Sequence, residues 1–239
     1  MLNQYKDCKP KIILFKSVKY NKYICLSVID FTKLGIEEIN IYADKYLSND
    51  EKTNLNEFKF LKRRKEFVLG RIASKYSLST LNNINIPFKQ ITISRGVFNQ
   101  PVVNSIYAPS TDISISHSHN FIYSLAFSGE FPCGIDAEYI CKKKEETVYS
   151  ILSYRERYIL SEINISPLFL WTAKESLSKI LKTGMTLNLS KMGVKSIKKR
   201  KNYYIGNYSD WIQYEFFSVI KNNEIVTITV PKNSLLLRL

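Results

Sequence analysis

Apolar and polar positions along the chain follow two periods. Residues 11–18 (Lys11-Ile12-Ile13-Leu14-Phe15-Lys16-Ser17-Val18) and 22–30 read as strands, and residues 90–94 alternate as a strand does. Asp112 to Ser116 is a further short strand, and Phe121 to Phe127 is apolar enough to be a buried one. Ser48-Asn49-Asp50-Glu51 has the form of a helix start. One long helix should follow through Phe58, Leu61, Phe67, Leu69 and Ile72 and end near Leu81. Its other face carries Lys62, Arg63, Arg64, Lys65 and Arg71. Gly70 within it costs helix stability and permits close approach.

The second half repeats the mixture. Lys142 to Glu146 reads as a charged, solvated loop. Ser153-Tyr154-Arg155-Glu156 matches a capping box and starts a helix. Ser166 followed by Pro167 predicts an N-cap and first helical position. In that helix Leu170, Ala173, Leu177, Ile180 and Leu181 form a core stripe, while Trp171, Glu175, Lys179 and Lys182 fall on nearly the opposite face. Gly184 fits a C-terminal cap. Short strands follow at 194–197, 203–205, 214–220 and 225–230. The turn Ser128-Gly129-Glu130 sets a boundary between halves 1–129 and 130–239.

Composition narrows the class. With 45% apolar residues in 239, the chain can bury a core. No run of 18 apolar residues exists, so no membrane span is expected. Met1 to Asp7 lacks the apolar core of a signal peptide. Cys8, Cys25, Cys133 and Cys141 show no C-x-x-C spacing and read as reduced thiols in a cytoplasmic protein without structural zinc. The net charge of +14 calls for an anionic partner. Through residue 129 there are 18 basic against 10 acidic residues, and after it 17 against 11, which describes a basic surface rather than a basic arm. Nucleic acid, the phosphates of a small ligand and an acidic protein all suit that charge. The run Lys198-Lys199-Arg200-Lys201 could touch nucleic acid, but a solvated turn is the plainer reading.

The candidate chemistry centres on Gly134-Ile135-Asp136-Ala137-Glu138. On a strand, Asp136 and Glu138 share a face. Two adjacent carboxylates in an apolar strand repel, so one takes up a proton or both share a cation. Glu175 and Lys179, four apart, are neighbours on one helix face. Asp136, Glu138 and Glu175 are read as ligands of one hard divalent cation, with Lys179 facing a phosphate-bearing ligand. Each pair taken alone reads equally as an exposed strand face or a surface ion pair. His117 and His119 could form a metal pair, but no third histidine and no nearby cysteine supports it.

In order along the chain stand Gly70-Arg71, Arg95 with Asn99-Gln100-Pro101, Ile115-Ser116-His117-Ser118, Gly134-Ile135-Asp136-Ala137-Glu138, and Trp171 to Lys179 in the form W-x-x-K-E-x-x-x-K. This series resembles the 4′-phosphopantetheinyl transferase superfamily, in its larger monomeric Sfp-type branch. The resemblance implies an α+β fold: a pseudo-twofold pair of similar α/β halves, each an antiparallel sheet with a packed long helix, and an active site in the cleft between them. It implies transfer of the phosphopantetheine arm of coenzyme A to a serine of an acidic apo carrier protein, with release of adenosine 3′,5′-bisphosphate. Magnesium, or manganese in its place, would sit on Asp136, Glu138 and Glu175. Arg71, Arg95, Ser116 and His117 would meet the coenzyme A phosphates, Lys179 the pyrophosphate, and Glu175 would act as general base. The family turn usually ends Gly-Lys-Pro. Asn99 can take the left-handed conformation of that glycine, but Gln100 cannot supply the lysine's charge. Thr186 stands where the family commonly has a second glycine. The expectation is a monomeric cytoplasmic enzyme with no nucleic-acid or membrane partner. The alternatives are a basic nucleic-acid-binding protein, an inactive family member, or a trimeric holo-carrier synthase, whose chains are about half as long.

Overall fold

A computed structural model describes residues 8–239, apart from the side chain of Met185; the N-terminal segment Met1 to Asp7 lies outside the described residues. The chain divides into two units. The first runs to Glu130 and takes in Leu236–Leu239, and the second is Phe131–Leu235. Both are mixed α/β assemblies with antiparallel sheets.

In the first unit, β1 (Lys11–Ser17) and β2 (Lys22–Asp30) form a hairpin. Three helices follow, α1 (Ile36–Tyr46), α2 (Asn49–Asn56) and α3 (Leu61–Asn82). The short hairpin β3 (Thr92–Arg95) and β4 (Pro101–Asn104) precedes the long hairpin β5 (Thr111–Ser118) and β6 (Phe121–Ser128). The second unit opens with β7 (Gly134–Tyr139), then α4 (Lys142–Ile151), α5 (Tyr154–Ile163) and α6 (Leu168–Leu181). It closes with β8 (Val194–Lys199), β9 (Tyr204–Tyr208), β10 (Tyr214–Lys221) and β11 (Glu224–Pro231). Strand β12 (Leu236–Arg238) pairs with β1, so the end of the chain belongs to the first unit's sheet rather than to the second half expected to reach residue 239. The sheet orders are β12-β1-β2-β6-β5 and β7-β11-β10-β9-β8.

Each sheet carries one long buried helix. Leu69, Ile72, Ala73 and Leu78 of α3 are fully buried in the first unit's core. Leu170, Ala173 and Leu177 of α6 are fully buried in the second. The predicted core stripe of α6 is therefore present. Hydroxyls also join helix to sheet, with Ser74 on Ser124 at 2.9 Å, Thr172 on Thr227 at 2.7 Å and Ser176 on Thr229 at 2.6 Å. Such pairs satisfy polar groups that burial would otherwise penalise.

Three local expectations change. The single long helix is two, α2 and α3, because Phe60 takes an extended conformation and Phe58 turns back to pack on Phe67, ring centroids 5.2 Å apart. The charged segment 142–146 opens α4, whose Val148 is buried, so it is a helix face rather than a loop. The left-handed cap after α6 is Lys182 (φ 54), two residues before Gly184. Helix α1 was not foreseen, although Ile39, Tyr42, Ala43 and Tyr46 repeat at helical spacing and are all buried.

Two buried carboxylates anchor the helix starts. Ser48 and Glu51 form the capping box of α2; Glu51 also accepts the N–H of Ile93 at 3.0 Å and the ammonium of Lys75, which is fully buried. Ser153 and Glu156 form the capping box of α5; Glu156 also accepts the N–H of Val194 at 3.2 Å and pairs with Lys174 at 2.7 Å. Burial would push the Glu156 carboxyl up. The Lys174 ammonium and the N–H groups of Ser153 and Val194 outweigh it and hold the carboxyl below its usual range. A depressed pKa means stability that is present above the unfolded value and lost as pH falls through the folded one. Glu156→Gln should cost about 3 kcal/mol at neutral pH, since it leaves Lys174 buried without its counter-charge. The gap to wild type should narrow below about pH 4.5, where the unfolded chain's glutamate takes up its proton while the folded one stays ionised. Urea melts of both proteins from neutral to acid pH check this.

Candidate active site

The second unit gathers the acidic residues singled out in the sequence. They lie on β7 and α6, and Gly134 sets how close these come. A Cβ at Gly134 would lie 2.0 Å from the carbonyl oxygen of Ser176, which no side chain can occupy. Strand β7 pairs with β11, Asp136 opposite Thr227 and Glu138 opposite Ile225, so the two carboxylates share the face the period-two reading assigned. From Leu168 to Lys179, only Trp171, Glu175 and Lys179 are not fully buried, four residues apart in a line along α6.

Lys179 spans the two elements. Its ammonium donates to the Ile135 carbonyl at 2.7 Å and to Asp136 Oδ1 at 2.8 Å. Lys144 of α4 donates to Glu138 Oε2. Glu175 sits in the field of both acids. Its carboxyl is pushed up to about 7, first by burial, then by Asp136 and Glu138, with Lys179 opposing. A cation placed among them would relieve that repulsion.

Among the described residues, no three Asp, Glu, His or Cys side chains already form a cation cage. The donor set still fits magnesium in kind: hard carboxylate oxygens, few in number, leaving positions for phosphate oxygens and water. The lysines on Asp136 and Glu138 are the groups a metal ion would compete with.

The first unit holds the basic residues. Arg71 on α3 is 7% exposed, its guanidinium carbon 4.4 Å from the Phe67 ring centroid and its Nε 3.8 Å from Glu51 Oε1. Arg95, at the end of β3, lies 5.1 Å over Phe58, the ring that packs on Phe67. Burial, partly offset by Glu51 and reinforced by Arg95, lowers Arg71 to about 10. The buried Nε of Arg71 has no hydrogen-bond partner. Two guanidiniums, Arg95 near enough to disfavour the charge on Arg71 and each over an aromatic ring, suit a phosphate dianion.

His117 lies toward the end of β5, about half exposed, opposite Ile122 of β6. Ser116 is 6% exposed and points to the other face of β5, so its side chain does not share a face with His117. Asn99 takes the left-handed conformation expected of it (φ 61). Gln100 turns its side chain back to accept the Phe98 N–H at 2.9 Å, so it closes the turn. A Cβ at Gly70 would meet Ile115 Cγ2 at 3.6 Å, an ordinary contact, so close packing does not by itself require glycine there.

Sequence reading passed over Lys144, the Phe58–Phe67 pair and Glu66, which lies within 4 Å of Lys62, Arg63 and His117. Lys144 and the Phe58–Phe67 pair belong to no spacing pattern, and although Lys62 and Arg63 stand four and three residues before Glu66 on one helix, only folding brings Glu66 to His117.

Part of the second unit matches a known family. Residues 132–229 match the model of the 4′-phosphopantetheinyl transferase superfamily. That segment contains Asp136, Glu138, Glu175 and Lys179. No curated protein matches the chain. Among solved structures, a holo-(acyl-carrier-protein) synthase from Bacillus anthracis in complex with CoA (3′,5′-ADP) is 22% identical over 44% of this chain and 93% of its own, with a TM-score of 0.39. The holo-[acyl-carrier-protein] synthase of Thermotoga maritima is 16% identical over 52% and 72%, with a TM-score of 0.37. That of Helicobacter pylori, in complex with coenzyme A, is 20% identical over 44% and 99%, with a TM-score of 0.34.

Gly134→Ala should destabilise the protein by about 1–3 kcal/mol, since β7 and α6 must move apart to admit the methyl group. Thermal melts of the purified variant measure it, and a melting temperature equal to wild type would show that the close approach is dispensable.

Proposed function

We propose that the protein is a 4′-phosphopantetheinyl transferase of the Sfp type. It moves the phosphopantetheine arm of coenzyme A to a serine hydroxyl of an apo carrier protein and releases adenosine 3′,5′-bisphosphate. The observation that carries the reading is the convergence of Asp136, Glu138, Glu175 and Lys179 on β7 and α6, within the segment that matches the superfamily.

Asp136, Glu138 and Glu175 would hold magnesium, or manganese. When bound, the ion would neutralise charge on the pyrophosphate. The chain's own residues do the rest. Lys179 spends two of its three donors on Ile135 and Asp136, and the third is left for a phosphate oxygen. Glu175 accepts the proton of the carrier serine as its oxygen bonds to the β-phosphorus. The bond from that phosphorus to the bridging oxygen breaks, and the electron pair leaves with the adenosine bisphosphate. Arg71, Arg95 and His117 bind the phosphates on the adenosine side. With its side chain turned to the other face of β5, Ser116 is left to contribute through its backbone.

We also read the two units as copies of one plan. In each, a serine–glutamate capping box, a buried lysine on the next long helix and the backbone N–H of a following strand residue meet on one carboxylate. They are Ser48, Glu51, Lys75 and Ile93 in one unit, and Ser153, Glu156, Lys174 and Val194 in the other. This supports two halves of similar plan, with domains split near residue 130.

The test is the intact mass of apo acyl and peptidyl carrier proteins after incubation with the protein, coenzyme A and magnesium. The expected result is a gain of one phosphopantetheine. Glu175→Gln should slow the transfer by roughly 10²–10⁴-fold while coenzyme A binding stays measurable. Transfer at the wild-type rate in that variant removes Glu175 from the mechanism. Because the chain is basic and carrier proteins are acidic, the rate at low carrier concentration should fall as salt rises. A rate independent of salt would speak against charge-guided encounter.

A further inference from the structure

Glu66 is a carboxylate buried on a strongly basic stretch of α3. It is 8% exposed, and its oxygens face Arg63 Nη1 at 3.3 Å, Lys62 Nζ at 3.9 Å and His117 Nδ1 at 3.6 Å. Lys62 and Arg63 are mostly solvated, and exposed pairs of this kind hold little. His117 differs because the β5–β6 ladder fixes its backbone, opposite Ile122. Helix α3 passes over β5 at Gly70 and Ile115. Glu66 lies one turn before Gly70, and His117 two residues after Ile115 on the same strand face. The packing that seats α3 on β5 thus also brings the carboxylate to the ring.

Among the described residues, Glu66 is an anionic group placed at the ring from an element packed on β5. β6 (Phe121–Ser128) and β4 (Pro101–Asn104) carry no charged residue, and α3 contributes Lys62, Arg63 and Arg71 besides Glu66. At 3.6 Å the carboxylate is in ion-pair range of Nδ1 rather than hydrogen-bonded to it, and its charge favours a proton on that nitrogen. An anion at Nε2 needs a proton there too. With Glu66 beside it, a ring that carries both would keep an anionic partner and offer a charged donor.

We propose that Glu66 is a positioning residue. It holds His117 as an oriented imidazolium so that Nε2–H can bind a phosphate, without itself touching the ligand. This deepens the proposed function and rests on the reading of His117 as a phosphate contact.

The experiment uses adenosine 3′,5′-bisphosphate as the probe, with the full chain and its Glu66→Gln, His117→Ala and double variants. Gln keeps the size of Glu66 and an acceptor for Arg63. The chain has two histidines, so a His119→Gln background isolates the His117 imidazole ¹⁵N signals. In the wild-type complex near neutral pH, both ring nitrogens should read as protonated. In Glu66→Gln one should lose its proton. By calorimetry, Glu66→Gln and His117→Ala should each weaken bisphosphate binding by roughly tenfold or more, the loss of a charge-assisted hydrogen bond. The double variant should lose no more than His117→Ala alone, because Glu66 acts through the ring. Unchanged ring signals in Glu66→Gln, or additive losses, would overturn the inference while leaving His117 a phosphate contact. Full binding in His117→Ala would instead remove the underlying reading, and the inference with it.

Discussion

The contact on which the candidate site depends is the ammonium of Lys179 on β7. It reaches the Ile135 carbonyl and Asp136 because α6 lies close enough to put the Ser176 carbonyl where a Cβ at position 134 would be. That proximity sets the electrostatics. Glu175, one turn before Lys179, is carried into the field of Asp136 and Glu138 and loses solvent as it goes, so its carboxyl rises. Hydroxyl pairs from Thr172 and Ser176 to β11 keep the helix seated on the sheet. A helix a few ångströms further off would leave four solvated charges and no site.

The same economy of charge recurs throughout. Buried charges cost several kcal/mol each unless they are paired and hydrogen-bonded. Glu51 and Glu156 meet that condition by using a helix cap, a strand N–H and a lysine at once. In doing so each ties the start of a short helix to the long helix and to a strand. Arg71 and Arg95 follow a different rule. Stacking on Phe67 and Phe58 gives each guanidinium a face-on partner, while Glu51 only partly balances Arg71. Arg71 and Arg95 thus place positive charge in the first unit, while Asp136, Glu138 and Glu175 place negative charge on the β7–α6 pair.

Much of this was legible in the residues. The strands at 11–17, 22–30 and 121–128, the capping box at Ser153 and the buried stripe of α6 are local patterns of alternation, helical spacing and cap chemistry. The adjacency of Asp136 with Glu138, and of Glu175 with Lys179, follows from the same periods. Asn99 could be assigned a left-handed conformation because asparagine tolerates one. Where local reading failed, a distant contact had won. Helix α2 ends early because Phe58 finds Phe67, and the lysine-rich segment after Cys141 is helical because Val148 has a core to enter.

The sequence by itself determined which side chains share a strand or a helix face, since period and capping are local properties of the backbone. Tertiary structure alone decided which faces meet. It put Lys179 on Asp136, Lys144 on Glu138, Glu66 on His117 and Arg95 over Phe58, each pair joining residues of separate segments. Such pairings carry no period to read. They exist because burying the apolar stripes of α3 and α6 fixes each helix at one depth and rotation on its sheet, and the charges must find partners there.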